Sequence, residues 1–138
     1  MRGFGQLSLD LCLTIIFAML FVEQLSIIWA QTNSSATEIS ITMQEKEIAN
    51  NLASIITSAA ALSDGKFSIE YTTPKIMEYS EFSPNTCTIT INDNDITVSY
   101  EKTDGTVTEA KTSFLKPAGF AVPATAECGE TITISKTT

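Results

Sequence analysis

Leu11-Cys12-Leu13-Thr14-Ile15-Ile16-Phe17-Ala18-Met19-Leu20-Phe21-Val22-Glu23-Gln24-Leu25-Ser26-Ile27-Ile28-Trp29-Ala30 decides how the rest of the chain is read. The run is almost uniformly apolar, with Glu23 its one formal charge. An apolar helix needs about 20 residues to cross a hydrocarbon core of about 30 Å, and this stretch supplies them. Asp10 stands at the lip of the run with no Lys or Arg beside it. A carboxylate facing lipid is costly, so Asp10 calls for a partner from elsewhere.

A polar leader precedes the run, and Arg2 can serve as its cytoplasmic positive charge. Two processing sites compete. A secretory peptidase cutting after Ala30 makes Gln31 the new N-terminus, with Leu11 to Val22 as the apolar core of a signal peptide. Against it, Ile28 is larger than the small residue preferred three positions before a cut, and Glu23-Gln24 interrupts the core. A cut between Gly5 and Gln6 instead leaves the whole apolar run on the mature protein.

Beyond Ala30, Gln31-Thr32-Asn33-Ser34-Ser35 is a polar patch that reads either as a loop or as the watery end of a continuing helix. No Gly or Pro occurs from Gln6 to Asp64, so nothing forces a break. Met43, Ile48, Leu52, Ile55, Ile56, Ala59 and Leu62 recur mostly at spacings of three and four, which predicts one apolar helix face. Gln44, Glu45, Glu47, Asn51 and Ser58 are assigned to the opposite face, and Asp64-Gly65 to the helix end.

The period then changes to two. Phe67, Ile69 and Tyr71 alternate with polar residues until Pro74, predicting a half-buried strand. Thr86 to Ile91 and Ile96 to Tyr100 flank the turn-forming Asn92-Asp93-Asn94-Asp95. Tyr100 to Thr103 and Thr106 to Lys111 flank Asp104-Gly105, a strong hairpin signal. A three-stranded meander is expected, then an irregular connection at Pro117, Gly119 and Pro123, and a last strand from Thr131 to Ser135. Thr-rich alternation of this kind suits antiparallel strands with one wet face.

Composition narrows the function classes. The chain has 138 residues, a net charge of −8 and a pI near 4.3, which argues against nucleic acid as a partner, since phosphates are bound through clustered Lys and Arg. A head of roughly 75 residues has a thin core and benefits from a staple. Cys12 lies in the apolar run; Cys87 and Cys128 lie in the strand-forming half and form one bridge if the head is extracellular, or remain two buried thiols. With no His and no Cys-x-x-Cys pair, no zinc site is expected. No Ser-His pair, Gly-x-Ser-x-Gly elbow or Gly-rich phosphate loop is present, so neither enzymatic chemistry nor a cofactor is expected.

Gly5-Gln6 with Ser8 and Asp10 ahead of an apolar helix resembles the class III signal peptide of archaeal type IV pilins and pilin-like proteins. The stretch from Lys46 to Ile56, leading to Ser63-Asp64-Gly65, also looks like the helix end in these proteins, so the resemblance runs from Gly5 to about Tyr71; beyond it the chain matches only in being β-rich. Asp10 stands where the family has Glu, and the usual basic leader is reduced to Arg2. The resemblance implies cleavage before Gln6 by a prepilin peptidase, a membrane-anchored precursor, and homo-oligomeric assembly through the N-terminal helix into an extracellular filament for adhesion. It also implies that Asp10 pairs with the new amine at Gln6, its own or a neighbour's. A plain interfacial role as helix N-cap is the alternative for Asp10.

Other positions carry weaker signals. Glu23 is a candidate for pairing between helices during assembly or for accepting protons; the plainer reading is a group that snorkels or faces a helix contact. Asn33-Ser34-Ser35 fits the N-glycosylation acceptor pattern. Asn92 to Asp95 offers oxygen ligands for calcium but lacks the Gly and distal Glu of a full calcium loop, so a turn is favoured. Tyr71, Tyr79, Phe82 and Phe114 are expected in the core rather than on an adhesive surface.

The expected fold is α+β: a long N-terminal α-helix, apolar in its first half and amphipathic in its second, packed on a small antiparallel β-sheet head. The expected segments are a leader 1–5, a membrane or filament-core helix 6–30, its amphipathic continuation 31–64 and an extracellular head 65–138. The expected function is a structural filament subunit, major or minor; the alternative is a secreted or anchored binding module whose helix only exports it. Native protein should show a glycan mass on the peptide bearing Asn33, and only unmodified peptide in mass spectrometry would remove that assignment.

Overall fold

The computed structural model describes the backbone of residues 4–62, 65–78, 81–82 and 86–136, and the side chains of residues 11–61, 65–78 and 86–136. Helix α1 (Phe4–Leu62) is unbroken, as expected when no Gly or Pro occurs from Gln6 onward to its end. The polar patch 31–35 therefore belongs to the helix. The expected helix end is Asp64-Gly65: Asp64 lies outside the described residues, and Gly65 is no longer helical. Two compact units divide the chain, Met1–Ala36 and Thr37–Thr138, and the second contains a long-range fold.

In that second unit one stripe of α1 is buried. Ile41, Ile48, Ala49, Leu52, Ala53, Ile56 and Ala59 all lie inside, at steps of three and four that return to the same side of a helix turning about 100° per residue. Two sequence expectations are corrected by the same geometry. Met43 stands two residues from Ile41, on the far side, and is 67% exposed. Glu45 stands four from Ile41 and three from Ile48, on the apolar stripe, and is 0% exposed despite its charge. Ile55 is half-buried.

The stripe packs on small sheets, every strand pair of which is antiparallel. Strands β1 (Phe67–Thr72), β7 (Phe120–Ala121) and β9 (Thr131–Lys136) form a three-stranded sheet in the order β1-β9-β7. Strands β4 (Cys87–Ile91), β5 (Asp95–Glu101), β6 (Val107–Ser113) and β8 (Thr125–Glu127) form a four-stranded sheet in the order β6-β5-β4-β8. A short hairpin joins β2 (Met77–Glu78) and β3 (Glu81–Phe82). The expected meander is β4-β5-β6, and Gly105, at φ +80° in its second turn, takes the left-handed conformation that glycine reaches at little cost. Strands β2, β3, β7 and β8 were not expected; at two or three residues each they are too short to show a period. Ile89, Ile91, Ile96, Val98 and Tyr100 from one sheet and Phe120, Ile132 and Ile134 from the other meet the helix stripe in a single core.

Polar contacts tie the helix to the strands at defined points. The Gln44 amide brackets Met77, donating from Nε2 to its carbonyl at 2.9 Å and accepting its N–H on Oε1 at 2.9 Å. The Thr112 hydroxyl reaches Asn50 Oδ1 at 2.8 Å, and the Thr108 hydroxyl donates to Glu45 Oε1 at 2.8 Å. Buried Glu78 gathers β5 and the following turn, its Oε2 accepting from the Tyr100 hydroxyl at 3.1 Å and the Thr103 hydroxyl at 2.9 Å.

Cys87 and Cys128 form a disulfide, with Cα atoms 5.4 Å apart and a sequence separation of 41. The bond sits beside the short β4–β8 pairing, where the Cys128 N–H also donates to the Cys87 carbonyl at 3.1 Å. Closing a loop of that length removes about 4 kcal/mol of unfolded-chain entropy. Replacing both cysteines by Ser in the full chain should therefore lower head stability by about that much in denaturant titration, with β8 the first strand to gain hydrogen-exchange rate.

Glu45 gives a second expectation. Its Oε2 is buried with no hydrogen-bond partner. Burial pushes its carboxyl above the ordinary carboxylate range, Thr108 and the Tyr100 backbone pull the other way, and the charge of Glu109 adds to the rise. The folded state thus holds the proton more tightly than the unfolded chain, so this group's effect on stability is most favourable below the unfolded pKa of about 4.5 and is lost as pH rises through the raised value. Glu45→Gln, which keeps the acceptor for Thr108 and removes the charge, should melt higher than wild type at pH 7, and the gap should narrow toward pH 4. A constant gap across that range would count against an ionised Glu45 as the weak point.

Candidate functional site: an uncovered apolar helix

All side chains from 11 to 36 are exposed in the isolated chain. They include Leu13, Ile16, Phe17, Leu20, Phe21 and Trp29, the last 73% exposed. An apolar surface of this extent is not left to water; it marks contact with lipid or protein. By length and composition α1 is able to cross a membrane, a property it shares with signal sequences near an N-terminus. Two hydroxyls in this stretch bond back to the helix itself. The Ser26 hydroxyl donates to the Val22 carbonyl at 2.9 Å and the Thr32 hydroxyl to the Ile28 carbonyl at 2.8 Å, which satisfies them without water.

Glu23 is exposed on this apolar surface, and no ion pair involving it occurs among the described residues. The chain has no Lys or Arg between Arg2 and Lys46, so this stretch of helix offers Glu23 no cation. Gly5, Gln6 and Asp10 lie on the backbone of α1, but their side chains are outside the described residues, and the expected pairing of Asp10 with an amine at Gln6 falls there too. Cys12 is a free, exposed thiol. Asn33 is exposed on the helix rather than on a loop.

The other sequence candidates take structural places. The two aspartates of the first hairpin turn face cations already present in the chain: Asp95 Oδ2 lies 3.0 Å from Lys111 Nζ, and Asp93 Oδ1 lies 3.5 Å from Lys116 Nζ. Asn92 Nδ2 donates to Asp95 Oδ1 at 2.8 Å, and with Lys111 it holds the Asp95 carboxyl below its ordinary range. Among the described residues no group of three or more His, Cys, Asp or Glu is gathered for a metal. Tyr71 and Phe114 pack against the core, while the side chains of Tyr79 and Phe82 lie outside the described residues. Sequence reasoning missed the outward strip Ile39, Met43 and Lys46, because an apolar residue at helical spacing is assigned to the core by default. Which side the sheets cover is the fact that separates the two. No protein family, characterised protein or solved structure matches the chain.

Proposed function

We propose that this chain is a structural subunit of an extracellular helical filament of the archaeal type IV pilus kind, cut before Gln6 and assembled through α1. The observation that carries the reading is the contrast along one unbroken helix: residues 11–36 have no cover of their own, whereas from Ile41 onward the helix is the spine of a disulfide-stapled head. Lipid covers the first segment in a precursor, and neighbouring helices cover it in a filament. Because lipid chains are themselves apolar, association in the membrane depends on packing and polar pairing, while the hydrophobic effect holds the bundle together once it is in water. The acid at Asp10 fits this scheme as a registering charge, since one partner of a buried pair left alone is costly.

N-terminal sequencing of native protein tests the reading. A mature start at Gln6, with filaments visible by electron microscopy, is the expected result; a start at Gln31 defeats it, because the packing helix is then discarded and an exported binding module remains. Asp10→Ala should leave membrane insertion intact and abolish filaments, and abundant normal filaments from that variant would remove the registering role.

A further inference from the structure

Two faces of α1 have the same layout. Ile16, Leu20 and Glu23 follow one another at steps of four and three, and so do Ile39, Met43 and Lys46. Both sets therefore form a single stripe of two apolar side chains ending in one charge, and the charges are opposite. The sheets cover the other side of the helix and leave the second stripe bare: Ile39 is 56% and Met43 67% exposed. Lys46 is exposed as well, and it makes no ion pair among the described residues. Glu23 has no cation within reach on its own stretch of helix.

We infer that Lys46 of one copy is the counter-charge of Glu23 on a second copy, with Ile16 of that second copy against Ile39 and Leu20 against Met43. The inference rests on the filament reading and adds its register, since parallel helices displaced by 23 residues bring all three pairs together. Charge complementarity and the matching of the steps both select this displacement. The two stripes are different surfaces, so the contact is heterologous, and its repetition gives an open array rather than a closed dimer. Glu38 is a competing exposed acid on the helix, but it stands in the polar stretch past residue 30, whereas Glu23 is close to the middle of the apolar run, where an unpaired charge is most costly.

Charge reversal in the full chain, in the cells that produce it, tests the pairing, with filaments sheared from the surface and the membrane-bound subunit measured alongside. Glu23→Lys and Lys46→Glu should each lower filament yield on the order of a hundredfold at unchanged membrane levels, as breaking a buried pair does. The double variant should recover yield to within about threefold of wild type, the signature of direct coupling. Glu38→Lys with Lys46→Glu should not recover. Single variants with normal yield, or recovery through Glu38 instead of Glu23, overturn the pairing while leaving the filament reading in place. Should a reversal variant fail to accumulate, Glu23→Cys with Lys46→Cys in a Cys12→Ser chain decides: a short bismaleimide should give a ladder of multimers, and only dimers or monomers from intact filaments overturn the register. A wild-type chain beginning at Gln31 with no filaments defeats the filament reading itself.

Discussion

One stripe of α1, from Ile41 to Ala59, determines the architecture of the head. Two small sheets, neither of which encloses a core alone, share that stripe as a common floor, and residues from both sheets and the helix form one cluster. A three-stranded sheet with one two-residue strand, and a four-stranded sheet with one three-residue strand, would be marginal by themselves. The helix supplies the missing apolar face, and the Cys87–Cys128 bond ties the shortest edge of the larger sheet in place. Gln44, Glu45 and Asn50 then fix where along the stripe the strands sit, because directional hydrogen bonds discriminate between positions that apolar packing would accept equally.

The same helix is used twice, for opposite purposes. Within Thr37–Thr138 one stripe of its apolar residues is covered by the chain's own sheets, while Ile39 and Met43 stay exposed. From residue 11 to residue 36 its apolar side chains are left uncovered by the chain. The division follows from where side chains can be covered: the strands come after the helix and pack along Ile41 to Ala59, and none of the described side chains from 11 to 36 is covered by the chain. An exposed apolar surface with one acid and no base is stable only in company, and the proposed filament provides apolar cover and, through Lys46, a base.

Much of the head was legible in advance. Asp104-Gly105 and Asn92 to Asp95 announce their turns because few other residue types accept those conformations, and Ile132 and Ile134 announce their strand by strict alternation. Strands β7 and β8 were hidden because Pro117, Gly119 and Pro123 read as irregular chain and their short pairings give no periodic signal. Met43 and Glu45 depart from expectation for a shared reason: on a helix the angle, not the hydropathy of a residue, sets which face it occupies. Counting from Ile41 in steps of four and three puts Glu45 inside and Met43 outside, and the structure agrees with the angle.

By itself the sequence determined that the chain carries a helix of membrane-crossing length, that nothing forces a break before a second, amphipathic stretch, and that strands follow it. Those features depend on local chemistry: the absence of Gly and Pro, the period of the apolar residues, and the turn residues between strands. Only the tertiary structure decided which side of the helix the sheets cover, that a carboxylate lies under them, that two cysteines 41 residues apart are joined, and that Ile39, Met43 and Lys46 are left facing outward. A helix offers several faces at nearly the same spacing, and only contact with distant strands chooses among them.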